Sequence, residues 1–380
     1  MRPPLNAPRP TMASRDSSDQ VRILFTLAGL HRVDRGAEVA FIAVASELAR
    51  AGHEVTLIGS GPARPDRPYR YIEAPAVPRE RFERFPKFPP FRNETAWEEA
   101  SFAPGLLAKF RPNEFDITAT CAFPFTHWAL RRPVLGGKRP RHVFITQNGD
   151  WPAYSNKAEF RFFACDGLVC TNPDYFERNR DRYRSALIPN GVDLSLFAPG
   201  AAERGRFGLP AKGPIVLMVS ALIPSKNVAE GIAAVGEIPN ATLVVAGDGP
   251  LRDQLAKLAG EIIPGRYRQL TVPAPEMPFL YRSADAFMHL STDESFGNVF
   301  VEALASGLPV VAIDTPRTRW IVGDEGIFPE TRDTEGLTTA IKRALTAGAS
   351  SATGARGRSE QFGWPMIAGR YAQFFHELLE

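Results

Sequence analysis

The sequence predicts an α/β protein of two doubly wound, Rossmann-like domains facing each other across a cleft. Three observations carry this. Apolar strand-like runs alternate with helical spacing in two separate series, one beginning at residue 21 and the other at residue 214. Turn-forming residues gather between the two series, at Ile188-Pro189-Asn190-Gly191-Val192-Asp193 and Pro199-Gly200. A length of 380 residues suits two domains better than one. The boundaries drawn are a disordered tail over 1–20, a first domain over 21–192, a second over 193–361 and a terminal amphipathic helix over 362–380.

Order begins at residues 21–27, where Ile23, Leu24, Phe25 and Leu27 make the apolar run of a buried parallel strand. A polar loop over 29–36 leads into a helix over 37–50, with Val39, Phe41, Ile42, Ala45, Leu48 and Ala49 at helical spacing. Gly52 stops it, and 53–58 supplies the next strand of a βαβ unit. Between 66 and 92 periodicity fails. There, residues 79–92 interleave Phe82, Phe85, Phe88 and Phe91 with Arg79, Arg81, Arg84, Lys87 and Arg92. The plain reading is a surface loop with locally packed rings; the sharper one is a loop that meets a lipid interface or an acceptor. A second basic stretch, 178–184, reads as a solvated helix face. In the second series 214–220 and 242–246 are strands, 227–235 is a helix, and 284–290 and 308–313 continue the alternation. In the terminal helix Trp364, Ile367, Tyr371, Phe374, Phe375 and Leu378 form the apolar stripe.

Composition excludes several classes. Hydrophobic residues make up 44% and charged residues 23%, as in ordinary soluble globular proteins, and a net charge of +3 does not point to nucleic acid. No run approaches a membrane span, and the first 20 residues lack the apolar centre of a secretory signal. Cys121, Cys165 and Cys170 lack zinc spacing and read as reduced core thiols, which suggests a cytoplasmic location. His53 and His289 read as packing residues.

The most informative segment runs Asp293-Glu294-Ser295-Phe296-Gly297-Asn298-Val299-Phe300-Val301-Glu302. It reads as a helix start bracketed by two carboxylates. Small residues at Ser295 and Gly297 let backbone N–H groups face a ligand, and a helix amino-terminus favours an anion there. Were the whole segment helical, Glu294 and Glu302 would stand roughly 12 Å apart along the axis. That exceeds the about 5–9.5 Å of paired hydrolytic carboxylates. The spacing suits one elongated ligand with an anionic middle and hydroxyls at both ends, the shape of a nucleotide sugar.

These residues, together with three further matches in order, resemble the retaining glycosyltransferases of family 4 with their GT-B fold. The other matches are Arg35-Gly36-Ala37-Glu38 with Gly52-His53-Glu54-Val55, the turn at 188–193, and Ser220-Ala221-Leu222-Ile223-Pro224-Ser225-Lys226 followed by Gly247-Asp248-Gly249-Pro250. The resemblance covers nearly everything after residue 20. It implies that Lys226 neutralises a donor diphosphate, Glu302 accepts ribose hydroxyls, Glu294 holds the donor sugar, backbone N–H groups of Phe296, Gly297, Asn298 and Val299 bind sugar and phosphate oxygens, and Gly36 closes on the diphosphate. It also implies that the terminal helix crosses back onto the first domain, that base selection lies near 271–273, and that no metal or other cofactor is needed. The co-substrate would be a UDP- or GDP-sugar. The acceptor would be a hydroxyl of a glycan, a lipid-linked molecule or a small metabolite, in surface or envelope glycan synthesis, with peripheral contact at the inner membrane face.

The sequence departs from the family pattern at three places. Arg35-Gly36 stands where paired glycines are common, and Ala221 stands where many members carry an arginine. For that missing phosphate contact Arg32, Arg35 and Arg317 are the candidate substitutes. Gln147 follows the strand at 142–146 where a histidine is usual. Its amide can hydrogen-bond a donor hydroxyl but cannot act as a base. Asp150 and His127 are the acceptor-side candidates. The rival readings are a nucleotide-sugar 2-epimerase and a catalytically silent nucleotide-sugar-binding homologue.

Overall fold

The computed structural model describes residues 20–134, 137–156, 158–291, 294–347 and 349–380. Residues 1–19, nearly all of the segment read as a disordered tail, and Asp293 lie outside the described residues.

The first domain is a seven-stranded parallel sheet: β1 (Arg22–Thr26), β2 (Glu54–Gly59), β3 (Arg70–Glu73), β4 (Ile117–Thr120), β5 (Arg141–Ile145), β6 (Gly167–Cys170) and β7 (Ser185–Leu187). Their order is β3-β2-β1-β4-β5-β6-β7. The second is a six-stranded parallel sheet: β8 (Ile215–Val219), β9 (Thr242–Ala246), β10 (Tyr267–Leu270), β11 (Ala286–His289), β12 (Val310–Ala312) and β13 (Gly326–Ile327), ordered β10-β9-β8-β11-β12-β13. Both are doubly wound sheets, each reversing direction beside its first strand. The crevices that such sheets use for ligands therefore open at the ends of β1 and β4 and of β8 and β11.

Strand alternation builds a core on each face. Ile23 and Phe25 point into one cluster with Phe41 and Leu57, while Leu24 joins Ile58, Phe102 and Leu106 on the other side. In the second domain Leu217, Val244, Phe287 and Val310 share one cluster, and Val216, Met218, Val245 and Met288 another. A sheet covered on both faces needs apolar side chains at every position, and a parallel strand is consequently a continuous apolar run.

The chain crosses between the domains twice, and the crossings lie side by side. Val192 N donates to Phe362 O at 2.8 Å, and Val192 forms a parallel bridge with Gly363. A β-carbon on Gly191 would fall 2.5 Å from the Trp364 ring, so glycine lets the crossings touch. The helix Trp364–Leu379 then packs on the first domain's helix Gly36–Arg50, burying Tyr371, Phe374, Phe375 and Leu378 in that domain's main cluster. Phe375 stands 6.3 Å from Phe25, which is 5.5 Å from Phe41.

The Phe375→Ala substitution removes a fully buried ring from that cluster. It should cost about 3–5 kcal/mol of stability in denaturant titration. A loss below about 1 kcal/mol would mean that the terminal helix is not part of the first core.

Candidate active site

The ends of β1, β4, β5, β8 and β11 surround one cavity of about 570 Å³ between the domains. On the second-domain wall the loop after β11 leads into the helix Asn298–Ala305. Phe296 is buried against Trp320 and Phe362 and anchors this loop. Gly297 follows at φ +92°, and a β-carbon there would meet the Phe300 ring at 2.8 Å. Only glycine makes this turn without strain, and it opens the backbone N–H groups of the helix start to the cavity.

Glu294 is the charge centre of this wall. Its Oε1 accepts from Lys226 Nζ and, at 2.9 Å, from His289 Nε2. Burial pushes the carboxyl pKa up, but the hydrogen bonds and charges of His289 and Lys226 outweigh it and hold the pKa at about 2. Lys226 ends the short turn Pro224–Lys226. Asn227 pins that turn to the neighbouring loop by donating from Nδ2 to Leu290 O at 2.9 Å. Two polar atoms on this wall, Ser220 Oγ and His289 Nδ1, are buried without a hydrogen-bond partner among the described residues. His289 packs as the sequence suggested, its ring 5.0 Å from that of Phe300, and it also lines the cavity and holds Glu294. Gly247 and Gly249 stay behind the wall, where β-carbons would strike Ser220 O at 1.9 Å and Leu222 O at 2.6 Å.

The facing wall belongs to the first domain. Gly36 opens the helix Gly36–Arg50, and a β-carbon on it would lie 3.6 Å from Asn298 Nδ2. Two helix amino-termini, one from each domain, thus converge at the cavity. A chain of amides fixes their spacing. Gln147 and Asn190 exchange hydrogen bonds through both ends of their amides, and Asn190 Nδ2 donates to Asn298 Oδ1 at 2.9 Å. Arg317 clamps the domains beside this chain, bonding Asp174 at 2.7 Å and the Glu294 carbonyl.

Gly36, Gln147, Lys226, Glu294, Phe296, Gly297, Asn298 and Val299 all line the one cavity. Glu302 does not. It sits one turn along the helix, with Oε2 accepting from Tyr281 Oη at 2.8 Å and burial raising its pKa. Of the three candidates for the missing cation, Arg32 is taken by Glu98 and Arg317 by the clamp. Arg35 alone of these lines the cavity, whose lining also includes Ala221. Its guanidinium is held loosely, 3.3 Å from Glu80 and 3.9 Å from Glu38 and Glu98.

The acceptor-side candidates need correction. His127 is fully buried, with Nδ1 3.0 Å from His142 Nε2 and its ring stacked on Phe163; burial lowers its pKa to about 3. Asp150 is buried and occupied by Arg178 at 2.9 Å and Asn179 at 2.8 Å. Neither lines the cavity, because the fold supplies each with internal partners. The carboxylates that do line the first-domain wall are Glu38, Glu98, Glu99 and Glu159, all buried. A signal for one of them existed. Glu98 shares the helix Glu94–Lys109 with Phe102 and Leu106, four and eight residues on, so an acid occupies the apolar stripe. Burial, with the Glu98 charge adding to it, pushes Glu99 up to about 8, so it is protonated at neutral pH.

Fold and site together define a two-domain GT-B glycosyltransferase with its cavity at the domain interface. The profile of Glycosyltransferase Family 4 matches residues 35–196 and that of Glycosyl transferases group 1 matches 201–358. Between them they take in both walls of the cavity, and the chain belongs to the family-4 glycosyltransferases. The lipopolysaccharide core biosynthesis glycosyltransferase LpsE of Rhizobium meliloti (strain 1021) is 29% identical, covering 82% of this chain and 86% of LpsE. A GDP-mannose-dependent alpha-(1-6)-phosphatidylinositol monomannoside mannosyltransferase of Mycolicibacterium smegmatis is 30% identical over 51% of this chain and 59% of its own. Among solved structures, sucrose-phosphate synthase from Thermosynechococcus elongatus superposes with a TM-score of 0.71 at 22% identity, covering 94% of this chain and 99% of the other. Anabaena Alr3699/HepE in complex with UDP-glucose gives 0.69 at 18%, covering 94% and 100%. At those identities the likeness speaks for the fold alone.

Two predictions test the electrostatics. The folded Glu99 carboxyl keeps its proton up to about pH 8, while an unfolded one releases it near 4.5. Between those values the folded state binds more protons, so this group's stabilisation is full below about 4.5 and is lost as pH rises toward 8. Glu99→Gln should therefore flatten the fall in Tm between about pH 5 and pH 8; an unchanged slope would mean that Glu99 is ionised. For Glu294 the sign is opposite. Its stabilisation is present above 4.5 and is lost as pH falls toward 2. His289→Leu should move the Glu294 titration upward in carbon-13 NMR, and an unmoved midpoint would assign the low value to Lys226 alone.

Proposed function

We propose that this protein transfers a hexosyl group, with retention, from a UDP- or GDP-sugar to a hydroxyl acceptor in surface or envelope glycan or glycoconjugate synthesis. The observation that carries the reading is the pair of helix amino-termini meeting at the cavity, with Lys226 on one wall and Arg35 on the other. Opposed positive helix ends plus two cations suit a diphosphate. Glu294, ionised and fixed by two donors, is suited to accept hydroxyls of the donor sugar, and unpaired Ser220 Oγ and His289 Nδ1 offer it further contacts. Glu302, one turn along the same helix and outside the cavity, is the residue this reading assigns to the ribose hydroxyls.

In this reading the departing nucleoside diphosphate gains negative charge as the sugar–oxygen bond breaks. In this reading the helix ends, Lys226 and Arg35 stabilise that charge and lower the barrier, with no metal called for. The acceptor hydroxyl attacks from the face the diphosphate leaves, and its proton passes to the departing phosphate oxygen. Gln147 takes no proton; locked to Asn190, it positions the Asn298 end of the site. The LpsE relative and the mannosyltransferase favour a glycan or lipid-linked acceptor over a small metabolite.

Calorimetric titration with UDP, GDP, ADP and dTDP tests the donor site. One nucleotide should be preferred, and Glu302→Ala should weaken it by about 1.5–3 kcal/mol. Arg35→Ala should weaken the same diphosphate but not the corresponding nucleoside. Adding Ala221→Arg to that variant should restore binding from the opposite wall. If no nucleotide binds the wild type, the donor reading fails; if one binds but no acceptor supports turnover, the protein is a silent homologue.

A further inference from the structure

The first domain carries all five large aromatic side chains that stand exposed among the described residues, Phe85, Phe88, Trp151, Tyr154 and Phe162, at 41–65% exposure, and Trp151 stands at the rim of the cavity. Scattered apolar residues need no explanation, but a gathering of exposed rings does. Phe85 and Phe88 are not loose. They belong to a ring cluster about Trp97, with centroids 5.3 Å and 6.2 Å away, and Phe91 stacks on the same indole at 4.0 Å. Trp97 Nε1 donates to Pro86 O at 3.2 Å and fixes the loop that presents them. The second group joins the first through Arg92, which pairs with Glu159 and lies 5.2 Å over the Phe160 ring.

Cations accompany these rings. Arg81, Arg84 and Lys87 stand exposed between the phenylalanines. Residues 79–92 hold five basic side chains against two carboxylates, so this short segment equals the +3 net charge of the whole chain. Beside Tyr154, Arg178 lies 4.8 Å over the ring. Arg79, Pro90, Arg92 and Trp151 belong to the rim and to the cavity wall alike.

We propose that this rim is a docking surface for an anionic lipid bilayer. Rings seated at the headgroup boundary with cations among them match both the apolar and the charged layer of such a surface, which a neutral protein partner would not. No helix among the described residues is long and apolar enough to cross a membrane. Docking here turns the first-domain mouth of the cavity toward the bilayer. Combined with the proposed transfer, on which this last step rests, it selects a lipid-linked acceptor whose hydroxyl enters while its apolar part stays in the membrane.

The test is flotation of the full chain with phosphatidylcholine vesicles and with mixed phosphatidylcholine–phosphatidylglycerol vesicles. Binding should require phosphatidylglycerol and weaken with salt. Arg81→Glu/Arg84→Glu/Lys87→Glu should lower vesicle affinity by at least roughly a hundredfold, and Phe85→Ser/Phe88→Ser should abolish flotation at moderate salt. Both variants should bind nucleotide like the wild type, which certifies their fold and reads the donor site separately. The proposal is overturned if the wild type ignores anionic vesicles or if both variants float as it does. It is also overturned if the wild type sediments as a dimer without lipid and Phe85→Ser/Phe88→Ser makes it a monomer, since the rings would then serve a second copy.

Discussion

Two helix amino-termini brought together at one cavity repel one another. Each carries the partial positive charge of its unpaired N–H groups, and the charge is felt most within the first turn, where Gly36 and Asn298 sit. Something must hold the ends together in the absence of an anion. The amide chain from Gln147 through Asn190 to Asn298 does so with neutral dipoles, adding no further charge to the cleft. On the second-domain wall Glu294 supplies a compensating negative charge, and it is already shared between Lys226 and His289. The site is thus tensioned toward an anionic ligand before one arrives, and most of the local architecture follows from keeping that tension while excluding collapse.

The two domains also divide the chemistry unequally. The second domain's wall is preformed: a glycine turn, an anchored phenylalanine and a fixed carboxylate. The first domain contributes Gly36, the loosely paired Arg35 and a bank of buried acids. Arg35 has three carboxylate neighbours and no tight contact, so a phosphate can compete for it at little cost. The acids, with Glu99 protonated, offer both acceptors and a donor to hydroxyls, which is the hydrogen-bonding inventory a polyol calls for.

Much of the fold was legible because strands buried on both faces cannot hide polar residues: β1, β8 and β9 read directly as apolar runs. The edge strands β3 and β10 escaped notice for the converse reason. They are half-exposed, and Arg70, Tyr71, Arg268 and Gln269 break any apolar run. Glu294, Gly297 and Asn298 were legible because a helix start gathers its ligand groups from consecutive residues. Asp150, His127 and Glu99 were not, because what each does is decided by residues far along the chain: Arg178 and Asn179 for the first, His142 for the second, the turn at Thr126 for the third. His289 sits between these cases. Its partner is only five residues away, but at a strand end a histidine reads the same whether it packs or donates.

The packing of the helix Trp364–Leu379 has a consequence for biosynthesis. A ribosome makes the first sheet first, yet that sheet's main core includes Ile367, Tyr371, Phe374, Phe375 and Leu378. The second sheet contains its own strands and most of its own core and can close earlier. The first core is therefore completed only after the second domain's strands have been made, against the usual vectorial order. Until then the earliest-made strands have one apolar face covered in part, by Phe41, Val44 and Leu48.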